Sequence, residues 1–511
     1  MRIAGAHRLR LTSASLALVS VALTAAACVA SDQAAEPSVQ PSTTASPGTP
    51  ATTATLTPTA DPPRTLSEAE VAELLRRAVC WHDDPARAAD CVPPTEATAR
   101  AIEVLGRSGD PRFAAPLIDM LWIEVGWGRW VEDALEAITG ERLANARAWS
   151  AWIAEQQQPL PAGYTGWKGR LLSLVDPRFT ELLTGDRAYE PRVEELLWAG
   201  VRVGGLPPLD GPETVHRVEE RYLDGEDVIF GVQLSGEPRA YPERIVAWHG
   251  ALHDEIDGSA VLLLHCVPCG SAAAFEGELA GRELRLVASG LVYRSRTLFA
   301  DEETGSLWDP VSGRAVAGPA FEAGERLVPL PLRRASWAQW STLHPTTRVL
   351  ALDTGFVRDY DADVALEADT ASPGPLYPAA PLDERLPAKE RVLGIELDGG
   401  SASTARAYRL DELEAVGITF ATLDGEELVL LSRGPGSGVA AYRATPNPIE
   451  ELVLTDVSGL LAVDSEGESW FVSEQGLVST LDSTRRAAVP TRTAYWFAWA
   501  GAWTATGLDE G

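Results

Sequence analysis

The chain is poor in positive charge: 43 Lys and Arg stand against 73 Asp and Glu in 511 residues, a formal net charge of −30, with no run of basic residues. A polyanion-binding surface needs a segregated cationic face, so nucleic acid is excluded as a partner. No apolar run reaches the roughly 20 residues that span a bilayer as a helix. There is no His-Glu-x-x-His helix, no Gly-x-Ser-x-Gly elbow and no Gly-rich loop ending in Lys-Ser/Thr. Those absences speak against a zincin protease, an α/β-hydrolase and a nucleotide-binding loop. Cysteine is scarce too, at Cys28, Cys80, Cys91, Cys266 and Cys269 only. Apolar residues, by contrast, make up 45% of the chain. That is too many for a disordered protein and enough for several domains, each with its own core.

Arg2, Arg8 and Arg10 precede an uncharged apolar stretch, residues 11–27, which ends in small residues. This pattern reads as a secretory signal peptide. Cys28 follows Ala25-Ala26-Ala27 in a pattern that resembles the bacterial lipobox, which predicts a lipidated Cys28 as the first mature residue; simple cleavage is the alternative. Residues 29–64 are Ser, Thr, Ala and Pro with almost no large apolar group, so they read as an extended tether. The expected address is the extracytoplasmic side of the cell membrane, with the lipid bilayer as partner through the acyl chains on Cys28 and no transmembrane helix in the mature protein.

The fold class expected beyond the tether is α+β and multidomain: a small helical domain over 65–200, then an internally duplicated, mainly β domain. Ser67 is a plausible helix cap, and Val71, Leu74, Leu75 and Val79 recur at helical spacing. Paired helical patterns around Gly109-Asp110-Pro111 resemble HEAT-like repeats. Trp122, Trp127, Trp130, Trp149 and Trp152 form either buried core or a ligand-stacking face. Cys80 and Cys91 are expected to pair as a structural disulfide, with His82 between them a surface residue.

From Gly204 onward, short apolar runs alternate with Gly, Asp and Pro, with turns at Ser235-Gly236 and Ala280-Gly281. This part repeats itself. Arg239-Ala240-Tyr241 recurs as Arg406-Ala407-Tyr408 at an offset of 167, and that offset carries Asp257-Gly258 to Asp424-Gly425, Pro268 to Pro435 and Ala273-Ala274-Phe275 to Ala440-Ala441-Tyr442. Trp337 and Trp340 likewise match Trp496 and Trp499. The expected organisation is a first copy over 204–350, a connection over 351–391 and a degenerate second copy over 392–511, packed about a pseudo-twofold axis.

A duplication separates residues needed for the fold from those needed for chemistry. The first copy has His265-Cys266-Val267-Pro268-Cys269-Gly270 where the second has Ser432-Arg433-Gly434-Pro435-Gly436-Ser437; His249, His253 and His344 face Val416, Phe420 and Trp503. The candidates for chemistry therefore lie in copy one. Cys-x-x-Cys after an apolar strand has three physical readings: a redox pair, half of a metal site completed by His249, His253, His265 or His344, or a structural staple. The sequence leaves all three open, so a transition metal and no cofactor at all are both compatible with it. A thioredoxin arrangement is disfavoured, because the following SAAAFEGEL reads as a strand rather than a helix.

The ordered motifs IVAWHGALHDEIDG, HCVPCGSAAAFEG, ASGLVYRSRTLFADEETGSLWD, SWAQWSTLHPTTRVL and TGFVRDY resemble the domain of unknown function 3179, over about residues 204–509. The resemblance implies an exported or membrane-anchored prokaryotic protein without an established reaction. Family members typically carry Cys-Pro-Leu-Cys-Gly here and some are described as selenoproteins, which implies redox chemistry. The matching positions are Trp248, His249, Cys266, Cys269, Gly270, Tyr293, Trp308, His344 and Arg358-Asp359-Tyr360, whereas Pro268, His253 and Arg294 depart from the family pattern. The expected function is thus thiol–disulfide chemistry at Cys266 and Cys269 with His249 as base, and with Trp248, Tyr293, Trp308, His344, Arg358 and Asp359 as binding residues. One alternative is a metal- or ligand-binding surface protein using Cys266, Cys269, His249 and His344. The other is a scaffold whose helices bind a protein partner.

Overall fold

The computed structural model describes residues 66–79, 95–123, 126–397, 405–444, 452–454 and 461–509. The leader, Cys28, the 29–64 tether, Cys80, Cys91 and His82 lie outside the described residues.

Helices come first: α1 (Glu68–Ala78), α2 (Glu96–Ser108), α3 (Ala114–Leu121), α4 (Gly128–Thr139), α5 (Ala146–Glu155) and α6 (Tyr164–Leu172). Ser67 caps α1 in a reciprocal arrangement with Glu70, and the buried face is Val71, Leu75 and Ala78. α2 runs from a Thr95 cap to left-handed Gly109, and it crosses α4 so closely that a Cβ at Gly106 would lie 2.8 Å from Ala134. Trp127 and Trp149 are buried core, whereas Trp130 is exposed. No helix among the described residues is long and apolar enough to cross a membrane. The helices are not a separate body, because one apolar cluster runs from Ile102, Leu117 and Leu135 through to Leu196, Leu291, Leu298 and Leu307 of the β region.

The β region repeats one unit. In the first copy β1 (Val228–Leu234), β2 (Glu237–Pro242), β3 (Ala251–Ile256), β4 (Ser259–Cys266), β5 (Ser271–Glu276), β6 (Leu286–Tyr293), β7 (Arg296–Asp301), β8 (Arg333–Ser336), α7 (Trp337–Leu343) and β9 (Arg348–Leu350) follow in order. A connection carries α8 (Val364–Thr370). The second copy has β10 (Arg391–Glu396), β11 (Ala405–Arg409), α9 (Leu410–Val416), β12 (Ile418–Leu423), β13 (Glu426–Ser432), β14 (Val439–Arg443), β15 (Thr491–Tyr495), α10 (Trp496–Ala502) and β16 (Gly507–Asp509).

The order β8-β1-β2-β9, with two antiparallel pairings and a parallel closing strand, recurs as β15-β10-β11-β16. The antiparallel meander β3-β4-β5 recurs as β12-β13-β14. Asp257-Gly258 and Asp424-Gly425 turn the corresponding hairpins with positive φ at both residues, the geometry that suits two-residue turns. A Trp fills each unit where glycine makes room: a Cβ at Gly231 would lie 2.3 Å from the Trp340 ring, and one at Gly394 2.1 Å from that of Trp499. Each indole N–H then donates at 2.9 Å to a threonine hydroxyl, Thr347 in one copy and Thr506 in the other.

The copies interlock rather than sit side by side. β5 of the first pairs with β15 of the second through Ala272 and Thr493, which makes a sheet running β3-β4-β5-β15-β10-β11-β16. On the opposite side, Ser336 N–H donates to Gly436 O at 2.7 Å.

Candidate functional site

β4 ends at Cys266, a 3-10 turn covers Val267–Cys269, and left-handed Gly270 leads into β5. Cys266 and Cys269 are joined as a disulfide with their Cα atoms 5.4 Å apart, and both are fully buried. Cys266 Sγ accepts the Thr297 N–H at 3.3 Å, while Ser271 Oγ donates to Cys269 Sγ at 3.7 Å. Gly270 is required twice over: its φ is +56°, and a Cβ there would lie 2.5 Å from the Tyr495 ring. Arg391 donates to Gly270 O and to Tyr495 Oη, both at 3.2 Å.

The second copy builds the equivalent hairpin without sulfur. Ser437 Oγ accepts the Arg433 N–H at 2.9 Å and lies 3.0 Å from Ser432 Oγ, and Gly434 and Gly436 supply the positive φ values.

The four candidate histidines diverge. His249 is buried; its Nδ1–H donates to Pro207 O at 2.7 Å, because a carbonyl only accepts, and its Nε2 therefore accepts the Tyr360 O–H at 2.7 Å. Burial holds its pKa below the ordinary value against the Pro207 bond, with repulsion from Arg358 acting in the same direction as burial. Both ring nitrogens are thus engaged away from the sulfurs, and a role as thiol base would require the Tyr360 bond to break. His253 is bound in the same way, by Asp210 Oδ1 at 2.8 Å and the Leu286 N–H at 3.2 Å.

His344 donates to Glu474 Oε1 at 3.3 Å beneath Trp340, and Arg333 Nε meets the other carboxylate oxygen at 2.9 Å. It ties the copies together and is not brought to the cysteines. His265 follows its own path, with Nε2 on Glu243 Oε1 at 3.2 Å and Arg334 on Glu243 Oε2 at 3.3 Å. Burial alone would push the Glu243 carboxyl up, but His265, Arg334 and Arg391 outweigh it and hold the group at about 2. Among the described residues no three His, Cys, Asp or Glu side chains converge as a metal-binding set.

The expected binding residues are scattered as well. Trp308 is fully buried and Trp248 half-buried, and among the described residues neither indole N–H has a partner. The guanidinium groups of Arg294 and Arg296 lie over the Tyr293 ring, at 5.1 and 5.4 Å from its centre. Arg358 donates to Val357 O at 3.0 Å and Asp359 accepts the Asp361 N–H at 3.3 Å, so the two do not form a clamp with each other.

What surrounds the disulfide instead is Thr297, Tyr495, Arg391 and α8, which packs on Val267–Cys269. None of these carried a sequence signal beyond the glycine after the second cysteine. Comparison with known proteins places this site within a match to one family model, described as "Protein of unknown function (DUF3179)", over residues 203–506. No curated protein and no solved structure matches the chain.

Proposed function

The chain belongs to the DUF3179 family, whose description assigns no reaction, and from that premise we propose that the protein carries out thiol–disulfide exchange at Cys266 and Cys269. One observation carries the reading: the second copy folds the same β-hairpin with Arg433 and Gly436 at the cysteine positions, so the fold does not need a sulfur staple at this turn. An incoming thiolate attacks Cys269 Sγ and forms a mixed disulfide. The electron pair of the old S–S bond leaves on Cys266 Sγ, which the Thr297 N–H stabilises. A second thiol then releases Cys269. Run in reverse, the reduced pair reduces a disulfide partner. No metal is needed for this chemistry.

The reading includes the address. A lipidated Cys28 and the 29–64 tether would hold the pair on the extracytoplasmic side of the membrane, where disulfides persist and a thiol-bearing protein partner would be met. Cys28→Ala should then move the protein from the membrane fraction to the medium or periplasm. Retention in the membrane would remove the anchor from the proposal.

The reaction is tested by the reduction potential of the pair in the purified full-length protein, together with turnover of a glutathione-linked peptide. A reversible midpoint between about −270 and −120 mV, with turnover lost in Cys269→Ser, is the expected result. A pair that resists reduction below about −300 mV and turns nothing over would leave a staple only.

A further inference from the structure

The turn that carries the disulfide packs against a short piece of the connection between the copies, α8. None of the residues of α8 is buried, and Leu366 at its centre is 55% exposed, so apolar burial does little to hold it on the Val267–Cys269 turn. Polar contacts gathered at one end hold it instead. Lys389 Nζ donates to Ala368 O and Asp369 O, each at 2.8 Å, and Tyr495 O–H donates to Asp369 Oδ1 at 2.6 Å. Arg391 lies 3.7 Å from the same carboxylate. On either side of α8 the chain is fixed. Buried Tyr360 is bonded to His249 and Thr354 on one side. On the other, Arg147 of α5 donates to Pro375 O, Tyr377 N–H donates to Ser295 Oγ at 3.1 Å, and the Tyr377 ring lies 6.0 Å from that of Trp122.

We propose that α8 is a lid over the Cys266–Cys269 disulfide, hinged between Tyr360 and Pro375 and latched by Lys389 and Asp369. The proposal rests on the exchange reading for its purpose, but its geometry stands without it. An element with few buried apolar contacts opens at low free-energy cost, and a closed lid keeps adventitious thiols from a pair meant for one partner. The far hinge is held by Arg147 and Trp122, so the helical region fixes one end of the lid.

The test uses the full-length protein and dithiothreitol as probe, with the rate of disulfide reduction read by thiol labelling and mass spectrometry. Lys389→Met and Asp369→Ala should each speed reduction by about tenfold or more, the factor that corresponds to losing one charge-assisted hydrogen bond, while Glu367→Gln on the exposed side of the helix should not. Hydrogen exchange should rise in 364–370 and 267–270 and stay unchanged in the β13–β14 hairpin. Latch variants reduced no faster than the parent would overturn the lid, as would a faster reduction accompanied by a uniform rise in exchange along the chain. The two readings fail separately: latch variants that gain speed in a protein with no turnover sink only the exchange function, and turnover with insensitive latch variants sinks only the lid.

Discussion

At Cys266 the sulfur accepts a main-chain N–H at 3.3 Å, whereas Cys269 Sγ accepts a hydroxyl at the longer distance of 3.7 Å. The fixed amide dipole makes Cys266 the better leaving group, and the turn that carries Cys269 is the part on which α8 packs, so access on opening of α8, and not thiolate charge, selects Cys269 for the mixed disulfide. The two cysteines should therefore not be interchangeable. Cys266→Ser is expected to accumulate a stable mixed disulfide on Cys269 when mixed with oxidised glutathione, and Cys269→Ser to accumulate much less; intact-protein mass spectra give the comparison. Equal adducts on both variants would remove the assigned polarity.

Glu474 offers a second test at this scale. Burial would push its carboxyl up, but Arg333 and bonded His344 outweigh burial and hold it at about 2, well below the ordinary 4.5. A carboxylate depressed in the folded state adds stability above its unfolded value, and that stability is lost as pH falls from about 4.5 toward about 2. Glu474→Gln should lower stability at pH 7 and flatten the fall across that window, without abolishing it because Glu243 titrates there too. Denaturant midpoints at stepped pH measure the slope, and a variant with the parent's slope would refute the assignment. Neither pairing was legible in the sequence. The copy comparison singled out His344 and His249 as unshared, but spacing along a chain does not say which way a side chain points.

At the scale of elements, the repeated Gly–Trp contact sets the packing of each unit. Gly231→Ala puts a Cβ 2.3 Å from a ring that is fully buried, so the change should destabilise by at least the roughly 1–3 kcal/mol usual for an overfilled core. Thr347→Val leaves the Trp340 N–H buried without a partner, a cost of about 1–3 kcal/mol. Gly394 and Thr506 should show the same pair of effects, and urea midpoints for the four variants would establish whether the two units are energetically equivalent. Hairpins were legible at Ser235-Gly236 and Ala280-Gly281, where both residues of the turn take positive φ. The glycines were not, because Gly231 and Gly394 stand at an offset of 163 whereas the strands after the hairpin turn stand at 167. β9 and β16, at three residues each, are too short to show any alternation.

At the scale of the whole molecule, pattern alone suggested a helical domain followed by two β copies, each with a core of its own. Strand partners are chosen by edges that no local pattern encodes, and here the exposed edge of β5 in the first copy is covered by β15 of the second. The helices share their apolar cluster with the β region in the same way, down to Leu291, Leu298 and Leu307. A buried ion pair crosses the seam as well, since Arg333 of the first copy holds Glu474 of the second, with His344 hydrogen-bonded to the same carboxylate. A chain joined through a continuous sheet, a common core and shared charges should lose its parts together. Residues 66–509 are therefore expected to melt in one calorimetric transition, and residues 391–509 made alone to give poorly dispersed amide NMR spectra, because β15 would then stand with the edge that pairs with β5 bare. Two separated transitions, or a well-dispersed spectrum from the isolated second copy, would mean that the seam is a contact between independent domains and not a single fold.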